Sequence, residues 1–108
     1  VDDLQRLLTE QNADLSKAIK NLRKSGEAWA QKERDYQIAK SQAVLIMKDA
    51  GCTMKEIDLR IKGEVAEKLF ERDMARVFYD SNLEYIQVAK KQLQIIENQI
   101  QREWSQNG

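Results

Sequence analysis

The sequence predicts an all-α fold, a long antiparallel helical hairpin with a short connecting helix. Three observations predict it. An apolar stripe recurs in strict four-three spacing through Leu4, Leu8, Gln11, Leu15, Ala18, Leu22, Ser25, Trp29, Lys32, Tyr36, Ala39, Ala43, Ile46 and Ala50. Only Gln11, Ser25 and Lys32 break its apolar character, and no proline interrupts the 108 residues. Charged residues make up 33% of the chain, and Ala, Glu, Lys, Leu and Arg dominate it, the composition of long helices and coiled coils.

The first helix is expected over residues 2–50. Asp2 and Asp3 open it, where acids complement the positive end of the helix dipole. At 1.5 Å per residue it would span roughly 70 Å. Ser25-Gly26 is its weak point, since an interior glycine costs about 1 kcal/mol against alanine. The stripe keeps its phase across that pair, so the helix should continue or kink gently. Gly51, after Asp49-Ala50, is a suitable C-terminal stop. Thr53-Met54-Lys55-Glu56 has the capping-box pattern and should start a short helix over about 54–62. Gly63 is expected to end it. A second long helix follows over about 64–104, and Ser105-Gln106-Asn107-Gly108 reads as a frayed end. The whole of 1–108 reads as a single helical domain.

The second long helix carries two apolar rows. One is Ala75, Phe78, Asn82, Ile86, Ala89, Leu93, Ile96 and Ile100; the other includes Ala66, Phe70, Val77, Tyr85, Val88 and Ile95. A hairpin partner can cover only one stripe. The other needs a further contact, either the connecting helix or another chain. Small domains already bury a low fraction of their surface, so dimerisation into an antiparallel four-helix bundle is expected. Phe70, Val77, Tyr85, Val88 and Ile95 are the candidate interface with a second copy or another protein. Gln11, Ser25, Lys32 and Asn82 read either as register-setting polar residues or as the edge of the seam. With Ala50 opposite Val65, facing residue numbers should sum to about 115 in an antiparallel pair. Trp29 should then lie near Ile86, Tyr36 near Tyr79, and Trp104 near Gln11.

Little in the chain points to catalysis. It contains no histidine, the commonest general base and metal ligand, and its glycines, at 26, 51, 63 and 108, are scattered rather than grouped into a phosphate loop. Glu67 with Glu71 is a carboxylate pair at helical spacing, which usually belongs to a solvated face. No enzyme activity, metal or cofactor is expected. The segment from Ala50 to Ile57 could open a helix-turn-helix, but the positions that would pack around its turn hold Asp58, Lys62 and Glu64. It reads instead as a capped connector.

Eighteen acidic and eighteen basic residues leave no net charge to attract nucleic acid or membranes. A local basic band is the alternative. Lys17, Lys20, Arg23 and Lys24 have no acid among them, nor do Lys90 and Lys91, and the expected register sets Lys24 opposite Lys91. Six cations at one level could contact phosphates without reading sequence. No aromatic is interleaved to stack on bases. The mixed runs Lys32-Glu33-Arg34-Asp35 and Glu71-Arg72-Asp73 read as exposed ion pairs worth a few tenths of a kcal/mol each, by order of magnitude.

The lone Cys52 cannot form an internal disulfide, which suits a reducing compartment. It reads as an ordinary small side chain near a turn. No run approaches the ~20 apolar residues needed to cross a bilayer, and no signal peptide is visible. A start at Val1 rather than methionine reads as processing or trimming. The expected location is the cytoplasm, with no membrane partner.

Two stretches carry a resemblance. Gly26-Glu27-Ala28-Trp29-Ala30 leads to Glu33-Arg34-Asp35-Tyr36, and Glu71-Arg72-Asp73-Met74-Ala75 runs on through Tyr79. The end of the chain, Gln92 to Glu97 and Arg102-Glu103-Trp104, fits as well. Together they resemble small, uncharacterised all-helical proteins of phages and prophages of Gram-positive bacteria. That family has no assigned activity and no functional residues to carry over. The resemblance implies phage origin and an accessory role in the host cytoplasm. The expected function is therefore that of a non-enzymatic, oligomeric helical protein acting by protein–protein interaction or assembly. The alternative is an accessory, sequence-independent nucleic-acid-binding protein.

Overall fold

A computed structural model describes residues 2–107. Its elements are α1 (Asp2–Asp49), α2 (Met54–Glu64) and α3 (Ala66–Asn107), with no strand among the described residues. The chain divides into two compact units. The terminal unit pairs the start of α1, up to Lys24, with α3 from Asp80 onward. The turn unit holds Ser25–Tyr79, which includes α2.

The turn between α1 and α2 is closed at both sides by backbone chemistry. Gly51 takes the left-handed conformation, φ 89°, which a side chain would strain. Its N–H donates to the Lys48 carbonyl, and the Cys52 N–H donates to that of Met47, both at 3.0 Å. These two bonds satisfy carbonyls that the helix end would otherwise orphan. Thr53 then caps α2: its Oγ1 accepts from the Glu56 N–H at 3.2 Å and donates to Glu56 Oε1 at 3.2 Å. The cap lies where the sequence places it. The glutamate side chain meets the threonine hydroxyl rather than the threonine N–H.

Gly63 does not end α2. It is helical, and the break falls two residues later at Val65, with φ −111° and ψ 10°. Val65 N–H bonds back to Ile61, and its carbonyl accepts from Leu69, so one residue separates α2 from α3. The reason lies in the apolar spacing. Ile57, Ile61, Val65 and Leu69 are four apart, and each such step drifts about 40° around a straight helix, roughly 120° in all. A break at Val65 resets the phase and keeps Ile57 and Val65 buried. At the other end, Ser105 and Gln106 are helical rather than frayed; Gly108 lies outside the described residues.

The seam on α1 follows the four-three stripe closely. Every stripe position from Leu4 to Ala43 is buried or half-buried. Ser25 is only 3% exposed, so this stripe-breaking serine lies inside the seam rather than at its edge. After Ala43 the stripe slips by one residue. Met47 is buried, whereas Ile46 is 69% exposed and Ala50 is exposed. A 3.6-residue helix drifts about 20° per heptad against a 3.5 repeat, which over this length amounts to about one residue. On α3 the four-three spacing holds from Ile96 through Leu93, Ala89, Ile86, Asn82 and Tyr79 to Ala75, so the half-buried Tyr79 takes the seam position and Phe78 is exposed. Ile86, Ala89, Leu93 and Ile96 form the core of the terminal unit with Ala18.

The helices pair in a different register from the expected one. In the turn unit Trp29 stacks on Tyr79, with ring centroids 5.4 Å apart, and not on Ile86, which belongs to the terminal unit. Tyr36 lies under Arg72 at 4.7 Å and not beside Tyr79. Lys32 meets Glu71 at 3.5 Å, and Arg72 meets Glu33 at 3.2 Å. Facing numbers therefore sum to roughly 103–108 in this antiparallel pairing. In the terminal unit Leu8 shares a surface concavity with Glu97, the same register, so Gln11 does not face Trp104. The cause is α2. It is the first stretch of the returning limb rather than a spacer before it, so the chain reverses at 50–54.

Candidate interaction surface

The residues expected at an interface stay uncovered. Phe70 and Val77 in the turn unit, and Tyr85, Val88 and Ile95 in the terminal unit, are all more than half exposed. In the turn unit α2 packs on its own α1, as the burial of Ile57, Val65 and Met47 shows. It leaves Leu59, Phe70, Met74, Val77 and Phe78 exposed. Two neutral small residues, Gly63 and Ala66, fall on the row between Leu59 and Phe70. Sequence reasoning missed Leu59 and Phe78 as surface groups. Leu59 falls on the row only when α2 is counted with the returning limb, and Phe78 lies beside the seam because the four-three count from Ile86 through Asn82 reaches Tyr79.

Total exposure is high. The chain exposes 8319 Å². A compact monomer of its 12.6 kDa exposes roughly 6,200 Å².

The register separates Lys24 from Lys91, whereas Lys17 stays within about one turn of Lys90. The register sets Lys24 level with Asp80 and Lys20 with Glu84, and Lys90 level with Asp14. The helical phases also differ. Lys17 shares a shallow concavity with Asp14, Asn21, Asn82 and Tyr85, whereas Lys90 follows the buried Ala89 on the side away from Val88. Lys17, Lys20, Arg23, Lys24, Lys90 and Lys91 are each exposed, but they do not form one band.

The polar chemistry that the fold does assemble lies in the turn unit. Glu71 Oε2 accepts from Lys32 at 3.5 Å and pairs with Lys68 at 3.7 Å. Arg72 bridges Glu33 and Asp73 and covers the Tyr36 ring. The hydrogen bond to Asp73, with Glu33 adding its charge, raises the guanidinium pKa further above its already high value. Arg76 lies over Trp29 at 5.8 Å. The two mixed-charge runs, read from sequence as exposed ion pairs, thus pair across the hairpin. The signal was there in the opposite order of charges around Lys32-Glu33 and Glu71-Arg72, but only the correct register reveals it. This cluster ties α1 to α3 in the turn unit. The turn also forms a cleft of about 300 Å³ beside Ala43, Ile46, Cys52 and Arg60, whose guanidinium donates to Cys52 Sγ at 3.7 Å.

Among the described residues, no group of three or more His, Cys, Asp or Glu side chains is placed to hold a metal ion. No helix among them is long and apolar enough to cross a membrane. Comparison with protein-family models, curated proteins and solved structures gave no match.

Proposed function

We propose that this chain is a non-enzymatic helical protein that acts by protein–protein association, and that it dimerises into a four-helix bundle through the outer row of α3. One observation carries the reading: Tyr85, Val88 and Ile95 of the terminal unit are more than half exposed while the inner seam of that unit, at Ile86, Ala89, Leu93 and Ile96, is already filled; in the turn unit Phe70 and Val77 are likewise exposed. A row of this kind on a charged helix surface marks an interaction site. The resemblance to phage and prophage proteins supplies a setting, an accessory factor in the host cytoplasm.

Chemical crosslinking and size-exclusion chromatography of the unmodified chain beside Val88→Glu and Tyr85→Glu test this. Both side chains are exposed, so the hairpin should keep its helicity. The variants should elute as monomers where the parent elutes as a dimer. Identical elution of all three would refute the assignment of the surface.

A further inference from the structure

We infer that the second copy packs antiparallel on the terminal unit, α1 against α1 and α3 against α3, about an axis at the level of Asp14 and Lys90. The inference rests on the self-association proposed above and names its partner face and orientation. Two independent features carry it.

The first is a charge row on α1. Asp3, Glu10, Lys17 and Lys24 fall exactly one heptad apart, so they share one side of the helix. Their order is acid, acid, base, base. All four are exposed, and none makes an ion pair within the chain among the described residues. Laid antiparallel on itself, this row is self-complementary. Asp3 meets the second copy's Lys24, and Glu10 meets the second copy's Lys17, each pair occurring twice under two-fold symmetry. Laid parallel, every charge meets its like. The axis that this pairing requires passes between Ala13 and Asp14.

The second feature is the apolar row of α3 in the same unit: Tyr85, Val88, Gln92 and Ile95. Antiparallel pairing of that row sets Tyr85 on the second copy's Ile95 and Val88 on its Gln92. Its midpoint is Lys90, so this pairing covers Tyr85, Val88 and Ile95 and leaves Phe70 of the turn unit uncovered, its facing position falling beyond the end of the second copy's α3. The register of the hairpin places Lys90 level with Asp14, so the two rows share one axis although neither was used to locate the other. They also face the same way, since Lys17 and Tyr85 line one concavity. One like pair results, Asp14 on its own copy at the axis, between the two Lys17 side chains. Lys17 and Lys24 are thereby assigned to a protein interface.

The test is sedimentation equilibrium of the full chain beside two charge variants. Lys17→Glu with Lys24→Glu makes the row wholly acidic; Asp3→Lys with Glu10→Lys makes it wholly basic. Each alone should self-associate roughly tenfold more weakly than the parent or worse, because four attractive pairs become repulsive. An equimolar mixture of the two should recover the parent's association. The chain carrying all four changes should recover it alone, which separates interface charge from any general loss of fold. A parent that dimerises while both variants dimerise equally well overturns this orientation and leaves the association itself standing. A monomeric parent overturns both.

Discussion

Two glycines of the returning turn should respond to alanine with opposite signs. Gly51 has φ 89°, where a Cβ is strained, and its N–H and that of Cys52 close the end of α1. Gly51→Ala leaves those bonds in place but forces alanine into the left-handed region, at about 1–2 kcal/mol. Gly63 lies inside α2, and nothing stands within 4 Å of a Cβ built there. Gly63→Ala removes a poor helix former and restricts the unfolded chain, a gain of about 0.5–1 kcal/mol. For a domain of this size each kcal/mol moves Tm by about 4–8 °C. Thermal and urea unfolding, followed by circular dichroism at one fixed protein concentration, reads both, since association makes Tm depend on concentration. Gly51→Ala should melt lower and Gly63→Ala higher, with m unchanged. A stabilised Gly51→Ala would refute the turn. A destabilised Gly63→Ala would show that α2 is not an uninterrupted helix with open space beside that position.

Ile57→Ala should cost about 2–5 kcal/mol in urea unfolding, because Ile57 is 2% exposed at the α2 docking site; a cost like that of a surface change would mean that α2 does not dock on its own hairpin. Reversing Glu71 to lysine should destabilise by up to about 1 kcal/mol, and adding Lys32→Glu should recover most of it, as expected for an exposed cross-helix pair. No recovery would place the two side chains apart in solution. Iodide quenching should distinguish the tryptophans: in Trp29→Phe the remaining Trp104, 64% exposed, should be quenched readily, whereas in Trp104→Phe the stacked Trp29 should be protected. Equal quenching would contradict the Trp29–Tyr79 stack.

The three helices and most of the inner seam were legible in the sequence because they depend on local periodicity. The run from Leu4 to Ala43 needed only the heptad count, and the Gly51 and Thr53 signals needed only cap chemistry. What failed was cumulative or long-range. The slip from Ile46 to Met47 arises because 3.5 and 3.6 residues per turn diverge over many heptads, whereas on α3 the four-three count itself selects Tyr79 rather than Phe78. Gly63 was a reasonable stop by propensity, but burial of Ile57 and Val65 decided where the break falls. The register depends on α2 being the first stretch of the returning limb rather than a spacer, and with it the facing of Lys24 and Lys91 is lost. The exposed row of α3 survived all of this. It was inferred from an excess of apolar positions, a quantity that does not depend on register. The cross-hairpin pairs of Lys32 and Arg72 were invisible for the complementary reason.

The central claim is that Tyr85, Val88 and Ile95, on the outer face of α3 in the terminal unit, are covered by a second copy. Sedimentation equilibrium of the unmodified chain across the micromolar range tests it most directly. The account predicts a species of twice the 12.6 kDa chain mass that dissociates on Val88→Glu. A single species at the chain mass throughout that range would contradict it.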